Sequence, residues 1–382
     1  MWQVLFALAL AVGVAVSLLA PHYIDSIKLQ VDPTHTLGTA CFFLGISSTA
    51  TKFRDLVGSP LGLGNVSFSF FIGTFLWPAL GLAATVLALQ AGWPFAVAVG
   101  FVLLAACPVG GPSCAVNVQT AGGSLECSLL MCLLSTPAAL LTFPYIYRHF
   151  VLMLLDQPLS PGASAAETRF RSQLSPDITS SALTSLFHHV LFAAALPLSA
   201  GAILVTLLPA KLAASARCWA SAAAAAMIVL TATVKTAEGA DAVRAAGAKV
   251  SMAVAGLHIV ALVLGYLIPA GVSAPDMTCR TTAYQASMRN SALGLSIAVA
   301  LFGSSEHFAL VVAPCVVSVF TQNLLGAWTA LLGRLRAPRH PVSDSGQPVS
   351  PQAFRANSVE SILRQQTFRR ISERSSINVK ED

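Results

Sequence analysis

The sequence is poor in charged residues, which make up only 10% of its 382 positions. Soluble domains carry about 25% charged residues, and the mean hydropathy here is +0.73. These values exclude a soluble globular protein and predict an integral, multi-pass membrane protein. Of the 22 Lys and Arg residues, nine lie after Leu332 together with five acids. The net charge of +6 is therefore mostly local to the C-terminal tail, and we expect no nucleic-acid partner.

Several chemical signatures are also missing. The eight cysteines form no CxxC spacing and no Cys/His cluster, which argues against disulfides and zinc and for buried reduced thiols. No nucleophile–base pair or Gly-rich phosphate loop stands out, so we expect neither an enzyme nor a cofactor. The first twenty residues lack a basic region ahead of a long apolar run, which favours a first transmembrane helix over a secretory signal.

Long apolar segments fill most of the chain. A bilayer core of about 30 Å needs about 20 apolar residues per helix. Ten segments meet or approach that length, which predicts an all-α protein with ten transmembrane helices: 2–20, 34–51, 65–90, 94–121, 124–147, 181–209, 212–234, 247–272, 281–303 and 306–333.

A polar stretch divides these segments into five and five, the pattern of a transporter built from two inverted repeats. The predicted parts are a first five-helix repeat (1–148), a polar connector (149–180), a second repeat (181–333) and a hydrophilic, disordered tail (334–382). The basic tail favours cytoplasmic termini, although the charges of the short loops favour the opposite orientation.

Two segments are interrupted at similar depth. The fourth contains CPVGGP, in which Pro108, Gly110, Gly111 and Pro112 break the helix, and the ninth contains the polar run at Gln285, Arg289 and Asn290. Broken backbone is tolerated in a membrane only where it lines a protein cavity, so matching interruptions predict a mid-membrane binding site. The alternative is a proline kink together with an arginine that snorkels to the surface.

Three stretches carry a family resemblance: CPVGGPSCAVNVQTAGGSLECSLLMCLLSTPAALLTFP (107–144), RTTAYQASMRNSALG (280–294) and VVAPCVVSVFTQNLLGAW (311–328). They resemble the bile acid:sodium symporter family (BASS or SBF-like, solute carrier family 10-like), of which this chain looks like a divergent member. The resemblance implies a panel domain (helices 1, 2, 6 and 7) and a core domain (helices 3–5 and 8–10), with broken helices 4 and 9 crossing. It also implies two sodium ions behind the crossing and an organic anion at the panel–core interface.

The sequence departs from the family where the ions would bind. The family glutamate is replaced by Gln285, one family glutamine by Arg289 and another by Gly73, and a threonine by Cys132, whereas Ser128, Asn290 and Ser291 are kept. On the fourth helix an ungapped match places Cys114 and Ala115 at the ligand positions. A shifted match places Asn117 and Thr120 there instead, and both remain open. Sodium prefers hard oxygen ligands to sulfur.

These departures suggest that Arg289 acts as a tethered cation in place of sodium. Sodium is then doubtful as a coupling ion, and no metal site is firm; a residual site at Ser128, Gln285 and Asn117 is the alternative. Glu126 could pair with Arg289 or carry a proton, or it could face water at the start of the fifth helix, where a negative charge is favoured. We expect His188, His189 and His258 to be packing residues.

The leading interpretation is a secondary transporter that moves a small organic anion by alternating access and does not need sodium. The alternatives are a sodium-coupled symporter of bile acid-like anions and a non-transporting sensor or scaffold that acts through its tail. In that tail Ser372, flanked by basic residues, is a candidate kinase site. The bilayer is the expected environment, with the plasma membrane favoured over an organellar one.

Overall fold

The structure is a computed structural model that describes residues 2–24, 33–48, 50–157 and 164–336. Within these ranges the chain is helical almost throughout. The helices, numbered in chain order, are α1 (Trp2–Leu19), α2 (Pro33–Ser47), α3 (Ala50–Gly58), α4 (Pro60–Gln90), α5 (Phe95–Ala106), α6 (Pro112–Thr120), α7 (Leu125–Asp156), α8 (Ala165–Gln173), α9 (Ser180–Leu207), α10 (Ala210–Glu238), α11 (Ala240–Gly271), α12 (Asp276–Ser287), α13 (Ser291–Phe302) and α14 (Phe308–Arg336).

Six of these helices, namely α4, α7, α9, α10, α11 and α14, contain stretches long and apolar enough to cross a membrane. Four shorter apolar helices, α1, α2, α5 and α13, complete the apolar set in the described ranges. All of them fall at the predicted segments, and the fourth and ninth segments are each split into two helices, α5–α6 and α12–α13. The prediction of an all-helical chain is confirmed, while ten spans in two inverted repeats stay a prediction.

The predicted connector is more helical than its composition suggested. Helix α7 continues to Asp156, because Val151 and Leu154 still face the interior, and a separate helix α8 occupies Ala165–Gln173. Predictions for the hydrophilic tail, including Ser372, lie outside the described residues, as do residues 158–163 of the connector. One compact unit ends at Arg334, and a second begins at Leu335.

Two local irregularities were not predicted. The middle of α9, His189–Ala195, is π-helical, a rare form that often marks functional sites. Helix α11 kinks at Gly247, whose φ of 77° lies in the left-handed region. Glycine adopts that conformation without the steric cost that a Cβ brings.

Four helices, α1, α2, α9 and α10, pack mainly on one another. The contact between α2 and α9 is backbone to backbone, since a Cβ on Gly45 would collide with the carbonyl of Leu198 and a Cβ on Gly201 with the carbonyl of Phe42. Small residues are the usual means of close helix approach in a membrane, where no hydrophobic effect drives helices together. A second set, α4, α5, α11 and α12, packs together around the two split segments.

We predict that Gly201→Ala lowers stability, because the added methyl group forces α2 and α9 apart at a cost of about 1–3 kcal/mol. The measurement is the midpoint of thermal unfolding in detergent. Gly256→Ala is the matched control, since no atom lies within 4 Å of a Cβ placed there. Equal midpoints for the two variants would contradict the close packing of α2 on α9.

Candidate functional site

The first helix break spans 107–111. Helix α5 ends at Ala106 and α6 begins with Pro112 in its first turn. Pro108 and Pro112 lack a backbone N–H and so cannot continue a helical hydrogen-bond ladder, and Gly110 has a left-handed φ of 71°. No side chain caps the N-terminus of α6 at Gly111, so its first amides are available to another acceptor.

The second break spans 288–290. Helix α12 ends at Ser287, and α13 starts at Ser291. Asn290 is the N-cap of α13, because its side-chain oxygen accepts a hydrogen bond of 3.2 Å from the amide of Leu293. Arg289 therefore lies in the middle of the break and not within a continuous helix.

The two breaks pair with each other through their backbones. Val109 and Arg289 form an isolated antiparallel bridge, with hydrogen bonds from Gly110 N to Met288 O (2.9 Å) and from Asn290 N to Pro108 O (3.2 Å). Gln322 of α14 accepts from the Arg289 amide (2.7 Å) and donates to its carbonyl (2.8 Å). The polar groups released by unwinding are thus satisfied within the protein, as the interior of a membrane requires.

The side chain of Arg289 is buried, with 3% of the residue exposed, so it does not snorkel. Its guanidinium donates to the carbonyl of Gly73 in α4 and lies 5.4 Å from the ring centre of Trp77. In the described part of the chain no Asp or Glu forms an ion pair with it, and its Nε has no acceptor. The charge is therefore stabilised by a carbonyl dipole and an aromatic face.

The free energies of these two contacts are large enough to offset the cost of placing the charge inside the membrane. A charge at mid-membrane costs about 2.5–3.5 kcal/mol on insertion scales. A desolvated cation–π contact contributes about 2 kcal/mol, and a hydrogen bond to a charged group contributes about 1.5–3 kcal/mol. The Trp77 ring is itself held in place, since its Nε1 donates to the carbonyl of Leu104 at 3.3 Å.

Gly73 allows α4 to lie close to both breaks. A Cβ at that position would lie 3.1 Å from a methyl group of Val109 and 3.7 Å from the carbonyl of Gln285, so a larger residue would crowd the backbone there. Pro78, five residues further along α4, has no N–H for the preceding turn, and kinks at prolines loosen the carbonyls there.

A second polar cluster joins α12 to α7. The side-chain amide of Gln285 donates to the hydroxyl of Ser128 at 2.5 Å and to its carbonyl at 3.2 Å. Because a carbonyl can only accept, the nitrogen of Gln285 must face Ser128. Its oxygen is then left buried without a donor, beside Gly110 and Cys132.

The other predicted ligands lie apart from this cluster. Asn117 donates to the sulfur of Met288 at 3.6 Å and packs against Gly326, and its side-chain oxygen has no partner. Thr120 donates to Val116 within its own helix. Ser291 shares a 2.6 Å hydrogen bond with Ser318, which continues at 2.9 Å to the buried His258. His258 thus holds α14 against the second break.

Glu126 does not pair with Arg289. It lies in the first turn of α7, and its carboxylate is 3.9 Å from the ammonium of Lys52. The helix N-terminus favours a carboxylate there, and this position at the start of the helix is the one that the alternative prediction gave to Glu126. The residue is nonetheless 7% exposed, so it does not face open water.

The contact that His189 makes with the second break has no signal in the sequence. This buried residue, in the π-helical part of α9, accepts a 3.2 Å hydrogen bond from the side chain of Asn290. Both line a narrow cavity with Gly111, Pro112 and Thr136, and its volume is about 20 Å³. That is enough for roughly one water molecule. The packing role predicted for His189 is therefore incomplete, because it also contacts the second break.

The described residues fit a sodium ion poorly. Among the buried side-chain oxygens without donors, those of the predicted ligands Gln285 and Asn117 are neutral amides. The thiol of Cys132 faces the same space as Gln285. Hard cations prefer several oxygens, usually with negative charge among them. No group of three or more His, Cys, Asp or Glu that could hold a metal occurs in the described ranges.

Residues 5–333 match the sequence profile of the SBF-like CPA transporter family. The chain belongs to this family. It is also 26% identical, over 338 residues, to the probable sodium/metabolite cotransporter BASS2, chloroplastic, of Oryza sativa subsp. japonica, an alignment that covers 87% of this chain and 70% of that protein. The predicted resemblance is therefore confirmed, and this SBF-like protein is a multi-pass membrane transporter and not an enzyme. Its particular membrane stays a prediction.

We predict that Gln322→Met destabilises this SBF-like transporter. The substitution keeps the size of the side chain and leaves the buried N–H of Arg289 unpaired, at about 1–3 kcal/mol, while the amide of Ser291 still donates to the Arg289 carbonyl. Gln119→Met makes the same chemical change where the side-chain oxygen already lacks a partner. The midpoint of thermal unfolding in detergent should fall for Gln322→Met and not for Gln119→Met. Equal midpoints for the two variants would argue against a stabilising role of the hydrogen bonds between Gln322 and the backbone of Arg289.

Proposed function

We propose that this protein is a secondary transporter of small organic anions that works by alternating access and does not require sodium. The observation that carries the proposal is the buried guanidinium of Arg289 in the paired breaks, without a carboxylate partner in the described chain.

The local charge favours an anionic substrate. A fixed cation in a low-dielectric interior attracts an anion far more strongly than it would in water. The uncapped N-terminus of α6 at Gly111 adds a partial positive charge and free amides. Gly111 and Asn290, the neighbour of Arg289, both line the narrow cavity, so an anion there would lie against the helix N-terminus and next to the second break.

The same arginine removes the need for sodium in this account. The sodium ions that the family resemblance implies would supply positive charge behind the crossing. Here Arg289 supplies that charge permanently, held by the carbonyl of Gly73, and Gln285 offers a neutral amide where a carboxylate would hold a cation. Transport would then be uniport or exchange, or would be coupled to another gradient.

Alternating access requires the two helix sets to separate. The cavity at the breaks has room for about one water molecule. Helices α2 and α9 form one of its walls, and the first break and α7 form the other. An organic anion fits only if these walls part. We propose that α1, α2, α9 and α10 form the panel, that the helices of the breaks form the core, and that the ten predicted spans form two inverted repeats.

Sodium symport is the alternative. It is favoured by the name of the rice relative and by the two buried amide oxygens of Gln285 and Asn117, which lack donors. A weak site built from these oxygens, Ser128 and backbone carbonyls would make sodium necessary despite Arg289.

The decisive test restores the ligands that the resemblance implies, in the triple variant Gly73→Gln, Gln285→Glu and Arg289→Gln. We expect it to gain a sodium-specific rise in melting temperature, measured in NaCl against KCl at equal ionic strength, since a ligand stabilises the state that it binds. The unchanged protein should show no difference between the salts.

Arg289→Gln alone is the matched control, and it should gain little because the carboxylate is still missing. A sodium-specific shift in the unchanged protein, or strictly sodium-dependent uptake in a proteoliposome screen of organic anions, would overturn sodium independence. If the triple variant remains folded and responds equally to both salts, Arg289 does not occupy a sodium position.

A further inference from the structure

Helix α9 changes its packing partner part-way along its length. Its first part, Ser180–His188, packs on α13 beside the second break, whereas its last part, Leu196–Leu207, packs on α2. The π-helical turn at His189–Ala195 lies between the two parts. This turn is therefore the place where α9 passes from the helices of the breaks to its own helix set.

The π-helical turn is in direct contact with the backbone of α2. A Cβ on Gly38 of α2 would lie 2.9 Å from the carbonyl oxygen of Phe192 and 3.3 Å from the ring of Pro197. Pro197 has no N–H to continue the helical hydrogen-bond ladder, and the irregular turn directly precedes it. Because interiors this closely packed are not easily deformed, the turn and α2 are expected to move as one unit.

His189, the first residue of the turn, is hydrogen-bonded to the second break. Both His189 and Asn290 are buried, and 3.2 Å separates Nε2 of the histidine from Nδ2 of the asparagine. The orientation of Asn290 is fixed, because its Oδ1 caps α13 by accepting from the amide of Leu293. An amide nitrogen only donates, so Nε2 of His189 is the acceptor. The bond thus joins a fixed group on the break to a fixed group on α9.

This hydrogen bond closes the narrow cavity at the breaks. Among the described residues of α2 and α9 that line the cavity, His189 is the one whose side chain carries a nitrogen or oxygen, while Cys41 contributes a thiol and the others are apolar. The cavity volume of about 20 Å³ holds roughly one water molecule. An organic ligand can enter only when the walls part, and that motion separates His189 from Asn290.

We propose that His189 is a gating residue, whose hydrogen bond to Asn290 holds the panel closed on the second break and breaks before the cavity opens. The inference rests on the alternating access of the proposed function and adds the pair of side chains that regulates it. In this role His189 is a positioning residue, since it acts through Asn290 and α9 and not through contact with a substrate.

Native cysteines report the opening of the cavity. Cys41 on α2 is buried and Cys132 on α7 is partly buried, and both line the cavity. Cys315, which is buried in the core around α5 and α13, reports loss of the fold. The exposed Cys218 is replaced by serine throughout. The measurement is the rate at which each cysteine of the full chain, in nanodiscs and KCl, reacts with a methanethiosulfonate reagent, followed by mass spectrometry.

We expect His189→Leu to raise the labelling rates of Cys41 and Cys132 about tenfold or more, because losing the acceptor shifts the population toward the open state. Cys315 should stay unreactive. His189→Gln offers a side-chain oxygen as acceptor and should restore the rates of the unmodified protein. His188→Leu is the matched control and should change nothing, since His188 is exposed and stacks on Phe192 at 4.6 Å.

Unchanged labelling in His189→Leu, or labelling of His189→Gln as fast as that of His189→Leu, would overturn the proposal. If His189→Leu also exposes Cys315, the fold is lost and Asn290→Ser decides. Serine keeps an N-cap oxygen for α13 but is too short to reach His189, so this variant should expose the two cavity cysteines alone.

An unchanged rate in Asn290→Ser, or exposure of Cys315 in that variant too, would show that the hydrogen bond has no gating role, and the proposal fails. The assay contains neither substrate nor sodium. Sodium-dependent uptake by the unmodified protein would therefore refute the proposed coupling and leave these labelling results intact.

Discussion

The buried guanidinium of Arg289 is the interaction on which the rest of the site depends. Its side chain reaches from one broken helix to the carbonyl of Gly73 and the ring of Trp77, and its backbone pairs with Val109 in the other break. The buried charge is stabilised by the carbonyl and the aromatic ring that it contacts, while the backbone of the same residue ties the two breaks together. Gln322 on α14 holds the same residue through both of its backbone polar groups.

The arginine also gives the site its chemical character. In the proposed account, the guanidinium supplies positive charge from within the fold, beside the neutral amide of Gln285 whose oxygen lacks a donor.

Much of the fold could be predicted from the sequence, because apolar length and the proline and glycine pattern of CPVGGP are local properties. The two breaks, and the meeting of Gln285 with Ser128, agree with those predictions. The partners of Arg289 could not be predicted in the same way. Gly73 is 216 residues away in sequence, and the acidic residue predicted as a possible partner, Glu126, pairs with Lys52 at the start of its helix instead. His189 was missed because π-helical geometry, which brings it to Asn290, has no sequence pattern of its own.

The central claim is that a fixed arginine makes bound sodium unnecessary, and equilibrium binding of radioactive sodium to the purified, unmodified protein tests it most directly. The account predicts no saturable binding at sodium concentrations up to those outside cells, whether or not an anionic probe such as hexanoate is present. Saturable binding of one or more sodium ions per chain, displaced by unlabelled sodium and not by potassium, would contradict it.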